Sequence, residues 1–149
     1  AFTYNARTLE PVGQLRYRGQ GWGITSDGTH LVMSDGSASL TGRNPGDFSI
    51  AWTLPVTVGG RPLHNLNELE FINGRIYANV FQENYVAVIE PADGVVEAVI
   101  DFSALVAAMR RAEPRSGVLN GLAWDARRGL LLVTGKNWSR LHAVRLVRK

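Results

Sequence analysis

Three stretches of this chain open in the same way, and that repetition constrains the fold more than any other feature. The first runs from Trp22-Gly23-Ile24-Thr25 through a turn to His30–Ser34, and the second from Asn67–Ile72 through Asn73-Gly74 to Arg75–Val80. The third runs from Asn120–Trp124 through a turn to Leu130–Thr134. Their starts are 45 and 53 residues apart. Propeller blades, each a small antiparallel sheet of four strands, repeat at about 40–50 residues. The alternative is a β-sandwich with accidental similarity between hairpins. The recurring Leu66-Asn67-x-Leu69 and Leu119-Asn120-x-Leu122 favour the propeller.

The rest of the chain fits that rhythm. Short runs rich in Val, Ile, Leu and aromatics are separated by Ser26-Asp27-Gly28, Asp35-Gly36, Pro45-Gly46, Asn73-Gly74 and Asp93-Gly94, each a turn signal. In the second unit the strands are expected at about 68–72, 75–80, 85–90 and 95–101. Only 103–112 (SALVAAMRRA) has helical composition, with Ser103 as its N-cap. This one short helix accounts for the longer second interval. The fold class is therefore all-β. Residues 1–18 are expected to end a preceding blade, 19–58 and 66–101 to form blades, and 118–149 to form a last blade without its outer strand. That is two, four, four and three strands, fewer than even a four-bladed ring needs. The expectation is a single propeller domain incomplete at its N-terminus. Ala1 opens the chain with neither methionine nor a signal-peptide pattern.

Composition excludes several classes. With 149 residues, 45% of them hydrophobic, and a net charge of +3, the chain can build one core and is not of disordered type. It has no run of eighteen apolar residues, which argues against a helical membrane span. It contains no cysteine, so disulfides and thiolate chemistry are excluded. Seven basic residues against one acid follow from Asp125 onward. They read as a solvated strand and tail rather than a nucleic-acid surface, which would spread charge over a face with aromatics interleaved. Only Lys136 and Lys149 are lysines among sixteen basic residues, and a lysine kept inside a loop offers a compact ammonium.

Up-and-down topology puts blade starts and second-to-third-strand loops on one face of the disc. That face receives Trp22, Asn67 and Asn120 at the starts, and Asp35, Phe81 and Gly135-Lys136-Asn137-Trp138 in the loops. Aromatics, carboxamides and a lysine converging there describe a pocket for a small polar substrate. Each residue has a plainer role open to it. Trp22 and Phe81 can serve as packing anchors, Asn67 and Asn120 can bond backbone, Asp35 can cap its turn, and Lys136 can be solvated. Glu68 and Glu70 alternate on one side of an inner strand, where they can line a channel or pair with a neighbouring blade. His30, His64 and His142 lack ligand spacing, and no glycine-rich phosphate loop opens a helix.

These motifs, in order, carry a resemblance: Gly21-Trp22-Gly23-Ile24-Thr25-x-Asp27-Gly28, Met33-Ser34-Asp35-Gly36-Ser37, Leu66-Asn67-Glu68-Leu69-Glu70, Tyr77-Ala78-Asn79-Val80, Val118–Asp125 and Val133-Thr134-Gly135-Lys136. Together they resemble the plant- and bacterial-type glutaminyl cyclases, and the match spans nearly the whole chain. The resemblance implies a five-bladed propeller that converts the N-terminal glutamine of peptides to pyroglutamate and releases ammonia. It implies that Asn67 and Lys136 are catalytic and substrate-binding, and that Trp22 and Phe81 line the substrate. Phe81 stands where the family usually has tryptophan, and Gln20 where it often has glutamate. The family's catalytic glutamate lies in two blades upstream of these motifs, about 80 residues at the usual blade length.

The resemblance further implies no required cofactor, with room for a structural divalent ion in the central channel. It implies peptide or protein partners bearing N-terminal Gln, a monomer when complete, and a secreted or periplasmic setting. A propeller that binds ligands or peptides without turnover is the competing reading. A metal-dependent lactonase-like propeller is disfavoured by the lack of a clustered carboxylate, asparagine and histidine set. Residues 1–149 alone are expected to be inactive and prone to self-association through unpaired strand edges.

Overall fold

The computed structural model describes residues 1–147. Arg148 and Lys149, which end the basic tail and the expected last blade, lie outside the described residues. Turn chemistry sets the hairpins. Asp27 Oδ1 accepts the backbone N–H groups of Thr29 and His30 at 2.7 and 2.6 Å, closing the turn between β3 (Gly23–Ser26) and β4 (Leu31–Ser34). Asn73 and Gly74 both adopt positive φ, the tight turn that matches strand twist, between β9 (Leu66–Ile72) and β10 (Arg75–Val80).

Two antiparallel four-stranded sheets result, each in chain order. The first is β3, β4, β5 (Ser39–Arg43) and β6 (Ile50–Pro55); the second is β9, β10, β11 (Tyr85–Ile89) and β12 (Val96–Asp101). A third sheet has three strands, β13 (Leu119–Asp125), β14 (Leu130–Gly135) and β15 (His142–Val144). A hairpin of β1 (Phe2–Tyr4) and β2 (Pro11–Gln14) precedes the first sheet. A two-residue pair, β7 (Thr57–Val58) and β8 (Arg61–Pro62), lies between the first and second sheets. That makes fifteen strands among the described residues where thirteen are expected from sequence, because β7 and β8 are too short to leave a periodic signal. No helix of the described residues is long and apolar enough to cross a membrane.

The helix α1 occupies Ser103–Ala112, but Ser103 is not its N-cap. Phe102 holds the cap position without a side-chain bond. Asp101 Oδ1 instead accepts the Ser103 N–H at 2.8 Å, so the carboxylate two residues earlier satisfies that free donor.

The core lies between sheets, because strand alternation sends successive side chains to opposite faces. From β10, Ile76, Ala78 and Val80 join Val32, Leu40 and Leu69 between the first and second sheets. Tyr77 turns the other way and packs with Leu119, Leu122, Leu131 and Val133 between the second and third, where Phe102 and Val106 of the helix segment also sit. The first strands β3, β9 and β13 stand side by side, as the inner strands of a propeller-like fold do.

A repeated pair of hydrogen bonds, one from the first strand of a sheet and one from the second, ties each sheet to the inner strand of the next. Ile24 pairs with Met33, Leu69 with Ala78, and Leu122 with Val133, which makes Thr25 and Glu70 equivalent, and likewise Ser34 and Asn79. The Phe71 N–H donates to Thr25 Oγ1 at 3.0 Å, and the Trp124 N–H donates to Glu70 Oε1 at 2.9 Å. The Ser34 hydroxyl donates to the Asn67 carbonyl at 2.6 Å, and the Gly121 N–H donates to Asn79 Oδ1 at 3.0 Å. Gly23 completes the contact, since a Cβ there would stand 2.2 Å from the Asn67 carbonyl oxygen. Thr25→Val keeps the shape but strands the Phe71 N–H. The expected cost is about 1–3 kcal/mol, read from denaturant midpoints. Gly23→Ala should cost more, because backbone has to move.

Candidate functional site

Trp22 is placed by its backbone and its ring together. Its N–H donates to the Ser34 carbonyl at 2.9 Å, and its indole N–H donates to Gln20 Oε1 at 2.8 Å. The ring lies against Gly36, where a Cβ would come within 2.7 Å of it. Phe81 meets that ring edge-on, with centroids 5.7 Å apart at 74°. Backbone bonds lace the loops beneath this aromatic pair. The Phe81 N–H donates to the Asn65 carbonyl, and the Asn65 N–H to the Gly36 carbonyl, both at 2.8 Å. Asn65 and Gln82 hold left-handed φ values of 65° and 70°, which most side chains disfavour, so these loops are set by their surroundings. Asp35 does turn work, its carboxylate accepting the Ser37 N–H at 3.0 Å.

Asn67 sits on a bulge. Between the pairs Leu69–Ala78 and Leu66–Val80, residues 67 and 68 of β9 face the single Asn79 of β10. The same irregularity recurs in the third sheet, where residues 120 and 121 face Thr134. Bulges bend the strand and re-aim its side chains. Asn67 is only 7% exposed, yet its carboxamide makes no hydrogen bond among the described residues; its tie to Ser34 uses the backbone carbonyl. The Asn120 Oδ1 is itself buried without a partner. Neither carboxamide therefore bonds backbone, the plainer role open to both.

Lys136 is exposed in the loop after β14. Its N–H donates to the Val118 carbonyl at 2.9 Å, and its carbonyl accepts the Gly117 N–H at 2.6 Å. Its ammonium acts on Glu68, the half-buried neighbour of Asn67. Burial, with the Glu70 charge, holds the Glu68 carboxyl above its usual range, and Lys136 pulls it the other way. Neither Glu68 nor Glu70 makes an ion pair with a neighbouring sheet among the described residues. Glu70 is engaged by the Trp124 N–H instead. Among the described residues no three His, Asp or Glu side chains are grouped to hold a metal.

A cavity of about 250 Å³ opens beside Trp22, with Tyr17, Met33, Phe48 and Glu68 among its walls. Asn67, Phe81 and Lys136 are not among its lining residues. Tyr17 and Phe48 also enclose the buried Arg43, whose guanidinium carbon is 4.9 Å from each ring centroid. A larger groove of about 1170 Å³, between β12 and the segment after β15, holds none of the expected site residues. Tyr17 and Phe48 left no signal in the sequence, because neither belongs to a repeated motif and each is brought in by a separate loop.

Comparison with known proteins agrees with this architecture. Residues 1–146 match the family model described as glutamine cyclotransferase. Over 147 residues the chain is 37% identical to a glutaminyl-peptide cyclotransferase of Arabidopsis thaliana, covering 97% of this chain and 46% of that protein. It superposes on the crystal structure of Myxococcus xanthus glutaminyl cyclase with a TM-score of 0.91 and 40% identity, covering 97% of this chain and 62% of that one. The fold is thus that of the propeller-like glutaminyl cyclases. The chain belongs to the glutamine cyclotransferase family, and it spans less than two thirds of either relative.

Because folding raises the Glu68 pKa, the folded protein holds that proton more tightly than the unfolded chain does. Stability contributed by the protonated carboxyl is full below the ordinary glutamate range and is lost as pH rises through the folded value. Glu68→Gln removes this loss. Its thermal midpoint should exceed that of the wild type near neutral pH, and the two should converge in acid.

Proposed function

We propose that this chain carries part of the active site of a glutaminyl-peptide cyclotransferase, which closes the N-terminal glutamine of peptides or proteins to pyroglutamate and releases ammonia. The observation that carries this reading is Asn67, set on a bulge with a carboxamide that bonds no other described residue, in a chain of the cyclotransferase family. A carboxamide with no partner in the protein keeps its donors and acceptor for a ligand.

The chemistry is intramolecular. The substrate's α-amine attacks its own γ-carboxamide carbon and closes the ring in a tetrahedral oxyanion; the carbonyl re-forms as the amide nitrogen takes a proton and leaves as ammonia. Holding amine and carbonyl in the reactive rotamer supplies much of the acceleration. Asn67 donates a hydrogen bond to the developing oxyanion, and the Lys136 ammonium adds charge stabilisation. Trp22 and Phe81 clamp the aliphatic stem and exclude water. The proton relay is assigned to the family's glutamate, which the resemblance puts outside the motifs of this chain. Lys136→Met and Asn67→Ala should each lower kcat by about 10²-fold, the order seen when one oxyanion donor is removed.

The test is ammonia release from a Gln-initiated peptide. It is run on the 149-residue chain and on the same chain preceded by the segment that its relatives carry. Turnover by either preparation, sensitive to both substitutions, supports the reading. Peptide binding without ammonia release from both preparations favours the non-catalytic propeller.

A further inference from the structure

The loop that presents Lys136 is braced from behind far more heavily than an exposed turn needs. We propose that Trp138 and Glu113 are positioning residues that hold Lys136 in its working geometry, and that α1 is the element that delivers the brace. This rests on the role given to Lys136 above.

Trp138 folds back over its own loop. Its indole lies so close to Gly135 that a Cβ there would stand 2.4 Å from the ring, and its N–H donates to the Gly117 carbonyl at 3.0 Å. The N–H of the same Gly117 donates to the Lys136 carbonyl. One residue is thus gripped on its amide by the lysine backbone and on its carbonyl by the indole. A Cβ at Gly117 would meet the Lys136 Cβ at 2.9 Å, so the lysine stem starts from a wall as well as from a pinned backbone. Asn137 completes the turn with a left-handed φ of 57°.

The second grip comes from the helix. Just beyond its last turn, the Glu113 carboxylate accepts the Ser139 N–H at 3.1 Å and also the Ser139 hydroxyl. Met109 Sδ lies 3.2 Å from His142 Nε2, and the His142 ring packs edge-on against Trp138 at 5.9 Å. The helix and the residue that caps it therefore hold the lysine loop at Ser139 and, through His142 of β15, the ring of Trp138. In the repeat pattern the helix is simply the extra length between the second and third units; in three dimensions it is a strut.

A lysine side chain on an unbraced turn samples many positions, and a displacement of about 1 Å at a reacting group can cost on the order of 10²-fold. Trp138→Phe keeps a ring over Gly135 but loses the bond to Gly117. It should lower kcat roughly tenfold or more, with little change in KM. Glu113→Ala should act in the same direction, and Glu113→Gln, which still accepts from Ser139, should recover most of the loss. If the brace acts through the lysine, adding Trp138→Phe to Lys136→Met costs little further rate, since coupled residues are not additive. Independently of turnover, amide hydrogen exchange at Lys136 should quicken in Trp138→Phe while Leu131 and Val133 of β14 keep their protection.

Wild-type kcat in Trp138→Phe beside a slow Lys136→Met overturns the brace and leaves the functional reading standing. Wild-type kcat in Lys136→Met overturns both. Additive losses in the double variant, or unchanged exchange at Lys136, also overturn the brace.

Discussion

The structure depends on how closely its inner strands approach one another. Gly23 runs against the Asn67 carbonyl with no room for a Cβ. Side chains reach across at two equivalent places per sheet, Thr25 and Ser34 from the first, Glu70 and Asn79 from the second. The apolar layers between sheets supply most of the burial, but they are non-directional. The cross-strand bonds set the position along the strand at which neighbouring sheets meet. The positions of Trp22, Asn67 and the third-sheet loops relative to one another follow from that alignment.

The candidate site is marked by departures from regular pairing at that same end. The bulges at residues 67–68 and 120–121 interrupt the ladder where each inner strand begins, while the first sheet pairs regularly there and offers Trp22 instead. Loops bring Phe81 against Trp22 and Lys136 into the field of Glu68, each fixed by backbone bonds to a different neighbour. Glu68 shows the electrostatic side of this design. It is a carboxyl made harder to ionise by burial and a like-charged neighbour, with one ammonium opposing the effect.

Much of this was legible in the sequence because it is periodic. The three aligned openings, the turn dipeptides and the 103–112 helix all leave local signals, and the second sheet falls within about two residues of its expected strands. The face shared by strand starts and loops follows from topology, and the Trp22–Phe81 contact lies on it. What was not legible is non-local. Glu113 and Ser139 are 26 residues apart and nothing in either neighbourhood announces the other. The bulges are invisible because one extra residue leaves composition unchanged. Ser103 read as a cap because serine favours that position, while Asp101, two residues earlier, held the competing acceptor.

Asn67 meets two demands with different atoms. Its carbonyl belongs to the seam between sheets, and its carboxamide bonds no other described residue. Any amino acid carries the same carbonyl, so the seam is indifferent to which side chain stands there. A new side chain that fits the same buried space at position 67 leaves the bond from Ser34 in place. Position 67 thus separates the atom that the seam uses from the atoms left over for anything else.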